Sequence, residues 1–238
     1  MKSEDQIAFF WVGKTIATPT LLVKSIEHVY GKQKPIIYHL TNETTPEIDG
    51  VTKTIRNNLS KDIMVARLEA YSSFPFNNKQ TFFCDADCLF LNKLWLTNLN
   101  ENIYLTIRSE NSFINPEGYP EFENKTFLDM MPFLFGAMAL KDGKQFFENL
   151  ISICKDLPLR FHQWYGDQYS LKLYYDQTKF KFQRLDINKY LYITKKEIDA
   201  YNLIKLIQKD VKVITFKGPG TKKYILRTIK NLLRINRN

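Results

Sequence analysis

Two carboxylates stand one residue apart in an otherwise apolar run, Thr81-Phe82-Phe83-Cys84-Asp85-Ala86-Asp87-Cys88-Leu89-Phe90-Leu91. Burying bare acids is costly unless something positive pairs with them. On a strand, residues i and i+2 share a face, so Asp85 and Asp87 can converge on one cation. Carboxylate oxygens are hard ligands that suit Mg2+ or Mn2+. A metal so placed at a strand end would hold a phosphorylated substrate. The plain alternative is a strand end at which both acids meet solvent, and the apolar flanks argue against it.

The elements that must position these acids follow from hydrophobic patterning. Ile7 to Val12 is a continuous apolar run closed by Gly13, which predicts a buried first strand. Thr18-Pro19 predicts a helix start, Leu22, Ile26 and Val29 keep helical spacing, and Gly31 supplies the stop. Further strands are predicted at Pro35 to Leu40 and, weakly, at Val51 to Ile55. Ser60 is read as the cap of a helix running to about Ser73, with Met64, Leu68 and Tyr71 on one face. The strand carrying Asp85 and Asp87 comes next. Such β-α alternation predicts an α/β domain with a mixed, mostly parallel, Rossmann-like sheet flanked by helices. Ligands of such sheets sit beyond the carboxyl ends of the strands, which is where the two acids fall.

After a strand at Ile103 to Ile107 the alternation loosens, and Asn111 to Asp129 reads as a polar loop over the site. Met131 to Leu140 predicts a strand. Asp142 is read as the cap of a helix from Lys144 to Leu157, with Phe147, Ile151 and Cys154 on one face. Gly166 to Tyr175 predicts a helix and Val211 to Phe216 a late strand. No internal repeat or low-complexity segment is visible.

The chain has 238 residues, 44% of them apolar and 25% charged, enough for one sizeable domain with a proper core. The start is acidic and polar, which predicts no secretory signal. No apolar run reaches the roughly 18–20 residues a membrane span needs. Three cysteines without zinc-type spacing predict reduced thiols in the cytoplasm, with Cys84 and Cys88 as small core residues. Of the net charge of +9, residues 221–238 supply six cations and no acid, leaving +3 for residues 1–220. The chain therefore divides into a mildly basic domain, 1–220, and a basic tail. In that tail Lys223, Arg227, Lys230, Arg234 and Arg237 share one arc of a helix, and Ile225, Leu226, Ile229, Leu232 and Leu233 form a separate stripe. Such a helix suits an anionic membrane surface. The alternative is a helix whose apolar stripe packs on the domain.

Arg67, Phe74-Pro75 and the segment Thr81 to Leu89 together resemble the central region of nucleotide-sugar glycosyltransferases of the GT-A fold, of the glycogenin and lipopolysaccharide galactosyltransferase type. Three later segments match in order. Phe133-Leu134-Phe135-Gly136-Ala137-Met138 stands where that family has Phe-Asn-Ser-Gly-Val-Met. Gly166-Asp167-Gln168 resembles its Asp-Gln helix start. Thr215-Phe216-Lys217-Gly218-Pro219-Gly220-Thr221-Lys222 resembles its His-Phe-x-Gly-x-x-Lys segment. The ordered set spans residues 7 to 223.

The resemblance implies a metal-dependent hexosyltransferase, retaining rather than inverting. It would move a sugar from a nucleoside-diphosphate donor to a glycan or lipid-linked acceptor in surface polysaccharide or glycoconjugate synthesis. Asp85 and Asp87 would hold Mn2+ or Mg2+ on the diphosphate, with Thr215 at the position of the family's third ligand, a His. Lys217, Gly218 and Lys222 would meet the phosphates, Arg67 would face the nucleotide or support Asp85, and Asp167 and Gln168 would stand near the reacting carbon. Were the enzyme inverting, Asp167 would be the best base. Trp164 and Tyr165 could stack on an acceptor sugar or serve as core aromatics. Leu134-Phe135 replaces the family's Asn-Ser, so donor-sugar contacts must differ. The implied location is cytoplasmic, peripheral at the inner membrane surface.

Four other readings compete. A haloacid-dehalogenase-type phosphatase carries its Asp-x-Asp on the first strand with Thr or Val where Leu89 stands, and its later acidic motif is broken at Leu171. A sugar nucleotidyltransferase needs a richer glycine loop than Gly13-Lys14-Thr15. A nucleic-acid binder would need a more basic domain or a recognisable motif, so no nucleic acid is expected. A catalytically inactive carbohydrate-binding relative would keep the fold and lose turnover.

Overall fold

A computed structural model describes residues 5–109, 111–217, 220, 221 and 223–235. The predicted alternation is present: β1 (Gln6–Phe10), α1 (Ala17–Tyr30), β2 (Ile36–Thr41), β3 (Lys53–Arg56), α2 (Ile63–Ser72) and β4 (Thr81–Asp85) follow one another. With β6 (Ile103–Ile107), β7 (Phe133–Leu140) and β8 (Gln183–Leu185) they build a seven-stranded sheet in the order β3-β2-β1-β4-β7-β6-β8. β7 runs antiparallel to both its neighbours, and the other pairs are parallel. The mixed, mostly parallel α/β architecture is thus as the sequence implies.

Both faces of this sheet are covered, so its central strands are apolar on both sides. Ile7, Phe9, Phe82 and Cys84 pack into one core with Leu22, Val23 and Ile26 of α1. Ala8, Phe10 and Phe83 pack into the other with α2, α4 (Lys144–Asp156) and α6 (Gly166–Thr178). The three cysteines are free and buried.

A small sheet, β5-β10-β9, stands beside the large one and is built from β5 (Cys88–Phe90), β9 (Tyr192–Thr194) and β10 (Val213–Phe216). Helices α8 (Ala200–Gln208) and α9 (Lys223–Leu233) cover it through a third core. In α9, Ile225, Ile229 and Leu232 are buried there, while Leu226 and Leu233 remain exposed. The tail stripe therefore divides: most of it packs on the domain. Arg237 of the predicted basic arc lies outside the described residues. No helix among the described residues is long and apolar enough to cross a membrane.

Several predicted boundaries shift. Ile16, not Thr18, holds the N-cap position of α1, without a side-chain cap bond, and Asp62 rather than Ser60 precedes α2. Gly143 precedes α4, and Asp142 only accepts a long 3.4 Å bond from the Lys144 amide. Gly31 does end α1, in the left-handed region at φ 54°, with its N–H donating to Glu27 O. The predicted loop 111–129 contains the isolated bridge Phe113–Thr126 and runs into α3 (Phe127–Met130), which Thr126 and Asp129 cap reciprocally. Sequence patterning gave no element for α5 (Leu159–Gln163), β8, α7 (Ile187–Tyr190), β9 or α8.

Candidate active site

The largest correction concerns the two acids. Asp85 closes β4 in the large sheet and Cys88 opens β5 in the small one, so Ala86 and Asp87 form a turn between sheets. Strand alternation therefore does not align the two carboxylates. The apolar run predicted one strand because both halves are buried, and burial alone carries no sign of the break.

Asp85 is held from two sides. Arg67 of α2 donates from Nη1 to Asp85 Oδ1 at 2.9 Å, and Lys217 donates from Nζ to Asp85 Oδ2 at 2.8 Å. The Arg67 guanidinium also pairs through Nη2 with Asp167 Oδ2 at the start of α6, and lies 5.4 Å from the centre of the Phe135 ring. Asp167 has no exposed surface, and its Oδ1 accepts from the Gln168 amide at 2.7 Å. Arg67, Asp85, Asp167 and Lys217 thus form one continuous network.

Lys217 reaches this network from the residue after β10. The β10–β5 pairing sets Thr215 opposite Cys88, so continuing along β10 brings the chain to the Asp85–Asp87 turn. Desolvation pulls the Lys217 ammonium down, but the carboxylates of Asp85 and Asp87 outweigh it and the net shift is upward. Lys217 is therefore charged throughout the neutral range. Gly218 and Lys222, also predicted to meet phosphate, lie outside the described residues.

Two glycines make the close packing possible. A Cβ on Gly136 of β7 would lie 2.7 Å from Asp85 Oδ2, and one on Gly166 would lie 2.3 Å from the carbonyl oxygen of Phe161. A lone glycine inside the apolar strand Phe133–Leu140 is the sequence signal for such an approach. Leu134 and Phe135, at the family's Asn-Ser positions, are buried in the cores.

Arg108, just past β6, was not anticipated. Its Nη2 donates to Gln168 Oε1 at 2.7 Å, its Nε donates to Met131 O at 2.8 Å, and it lies 4.6 Å from the centre of the Phe127 ring. The Gln168 carbonyl oxygen is thereby engaged. Trp164, two residues before α6, is 59% exposed, whereas Tyr165 packs among Tyr119, Phe122 and Phe127. Trp164 is thus available to a ligand and Tyr165 belongs to the core beneath it.

The oxygens expected to hold Mn2+ or Mg2+ are those of Asp85, Asp87 and Thr215. The Thr215 hydroxyl is buried without a hydrogen-bond partner among the described residues, as a ligand atom awaiting an ion would be. Both oxygens of Asp85, however, already meet a cation. Nor do three His, Cys, Asp or Glu side chains gather to hold an ion among the described residues. The donor set does not fit a three-ligand metal centre in this arrangement.

No protein-family profile matches the chain, and no curated protein matches its sequence. Solved structures do. The galactosyltransferase LgtC, in complex with donor and acceptor sugar analogs, aligns at a TM-score of 0.57 and 14% identity over 97% of each chain. This is a GT-A-like fold. A glycosyltransferase involved in glycosylation of the major capsid of PBCV-1 aligns at 0.53 and 12% identity, over 94% of this chain and 98% of that one. GlyE of Streptococcus pneumoniae TIGR4 aligns at 0.58 and 13% identity, over 96% of this chain and 63% of that one. In the GT-A-like fold of this chain, the charged network occupies the carboxyl end of β4, the side on which open α/β sheets bind ligands.

Proposed function

We propose that this chain is a glycosyltransferase that moves a hexose from a nucleoside-diphosphate donor to a glycan or lipid-linked acceptor of surface polysaccharide or glycoconjugate synthesis. The observation that carries the reading is the Arg67–Asp85–Lys217 network at the carboxyl end of β4, with Asp167 and Gln168 beside it. On this reading the donor's diphosphate meets the fixed positive charge of Lys217, and Arg67 keeps the acids in place.

In the transfer, the bond between the sugar's anomeric carbon and phosphate oxygen breaks and its electron pair stays on the diphosphate. The acceptor oxygen bonds to the same carbon, and its proton passes to the departing phosphate. Charge stabilisation on the leaving group is then the main catalytic demand. Asp167, buried and paired with Arg67, suits positioning better than proton abstraction, which favours the retaining course.

A competing version keeps Mn2+ or Mg2+ on Asp85, Asp87 and Thr215. The unpartnered Thr215 hydroxyl favours it, and the two cations on Asp85 oppose it. For location, we propose peripheral contact with the inner membrane surface. Tyr201 and Ile204 of α8 and Leu226 and Leu233 of α9 are exposed, and α9 also carries the basic Lys223, Arg227 and Lys230.

The deciding experiment is a panel of nucleotide sugars incubated with the full chain, with nucleoside-diphosphate release as the readout. Release from one donor, lost in Asp85→Asn, supports the transferase. Donor binding without release in the presence of any acceptor glycan would leave a carbohydrate-binding relative instead.

A further inference from the structure

Lys217 occupies the place where an added cation would otherwise be needed. Its Nζ lies 2.8 Å from Asp85 Oδ2. The second oxygen of Asp85 is taken by Arg67 at 2.9 Å. The contact joins residues 132 positions apart and is set by the strand register, because β10 pairs with β5 immediately beyond the Asp85–Asp87 turn. Gly136 supplies the space for Asp85 Oδ2 by carrying no Cβ.

Resting on the transferase reading, we propose that the Lys217 ammonium takes the role of a divalent cation at this site and that donor binding is metal-independent. Three features lead there. A dication on Asp85 Oδ2 would be set against an ammonium already bonded to that oxygen, and like charges at that range repel. Thr215, the third candidate ligand, offers only a neutral hydroxyl, a weak ligand. Lys217 itself stays half-exposed at the mouth of the network, with 41% of its side chain accessible, so it can donate to a ligand oxygen while paired with Asp85. An ammonium has three N–H donors, and only one is used by Asp85. As the sugar–phosphate bond breaks, the leaving diphosphate gains negative charge; Lys217 meets that charge by hydrogen bonding and keeps its protons.

Calorimetric titration of the full chain with uridine, guanosine, adenosine and cytidine diphosphates, in EDTA and again with Mn2+ or Mg2+, tests this. The expected result is one nucleoside diphosphate bound about equally well in both conditions. Lys217→Ala should weaken it by about tenfold in EDTA, the scale of one lost charge-assisted hydrogen bond. Lys217→Arg should retain most of the affinity, and Mn2+ should partly restore Lys217→Ala, in which the ammonium no longer meets Asp85 Oδ2. Wild-type binding that collapses in EDTA would overturn the proposal and leave the transferase reading standing, and it needs no variant to be seen. Metal-independent binding untouched by Lys217→Ala would overturn the role of Lys217. Absence of binding to any nucleoside diphosphate under all conditions would overturn both readings.

Discussion

Asp85 and Asp167 share one guanidinium. Asp85 ends a central strand, Asp167 stands in the first turn of α6, and Arg67 bonds to both. Because Asp167 has no exposed surface, its charge depends on that partner. Arg67→Ala should therefore destabilise the protein by roughly 3–5 kcal/mol, the range for breaking a buried ion pair. Chemical denaturation measures it, and a change below about 1 kcal/mol would mean that Asp167 finds another partner or is neutral.

Gly136→Ala tests the close approach. The new Cβ would lie 2.7 Å from Asp85 Oδ2, so the carboxylate must move off its contact with Lys217. We expect a stability loss of about 1–3 kcal/mol from overpacking. Loss of nucleoside-diphosphate affinity should accompany it, whereas Gly143→Ala, away from the network, should leave that affinity intact.

Trp164→Ala separates acceptor from donor. The ring is exposed beside the start of α6, and stripping it removes little core packing. The acceptor KM should rise about tenfold, the upper range for one aromatic contact, while donor hydrolysis stays unchanged. Equal loss of both activities would place the ring elsewhere in the reaction.

The membrane surface must be tested without removing α9, because Ile225, Ile229 and Leu232 help build the third core. Leu226→Asp with Lys230→Glu alters only exposed positions. Vesicle sedimentation should show weaker binding to anionic vesicles, and neutral vesicles should bind neither protein. Equal sedimentation of variant and wild type would remove the membrane from the reading.

His39 predicts a pH effect on stability. Its ring is buried in β2, stacked 5.0 Å from Phe9, and desolvation lowers its pKa despite the bond between Nε2 and Trp11 O. A depressed pKa means the folded state binds fewer protons than the unfolded one. The stability it contributes is full above about pH 6.5 and is lost as pH falls towards the folded value. Between pH 6.5 and 5, denaturation midpoints should fall for the wild type and flatten in His39→Gln. An unchanged slope would assign the effect to other groups.

Ile7 to Phe10 and Thr81 to Asp85 announce themselves as strands because both faces are buried, leaving unbroken apolar runs. The same property hid the turn at Ala86–Asp87, whose neighbours are as apolar as the strands they end. Arg67, Asp167 and Lys217 were legible through motif order. Arg108 was not, since its meaning comes from contact with Gln168 across 60 residues. The small sheet was half-hidden because β5 and β9 are three-residue strands, too short for periodicity to register.

The Asp85–Asp87 turn has a consequence beyond charge. It is a seam, with the large sheet on one side and the β5-β10-β9 sheet on the other, and Lys217 crosses it from the far side. A ligand seated there would stitch the two layers together. Its binding should slow amide exchange in β9 and β10 as well as in β4, so that occupancy is felt in the packing of α8 and α9, well away from any sugar.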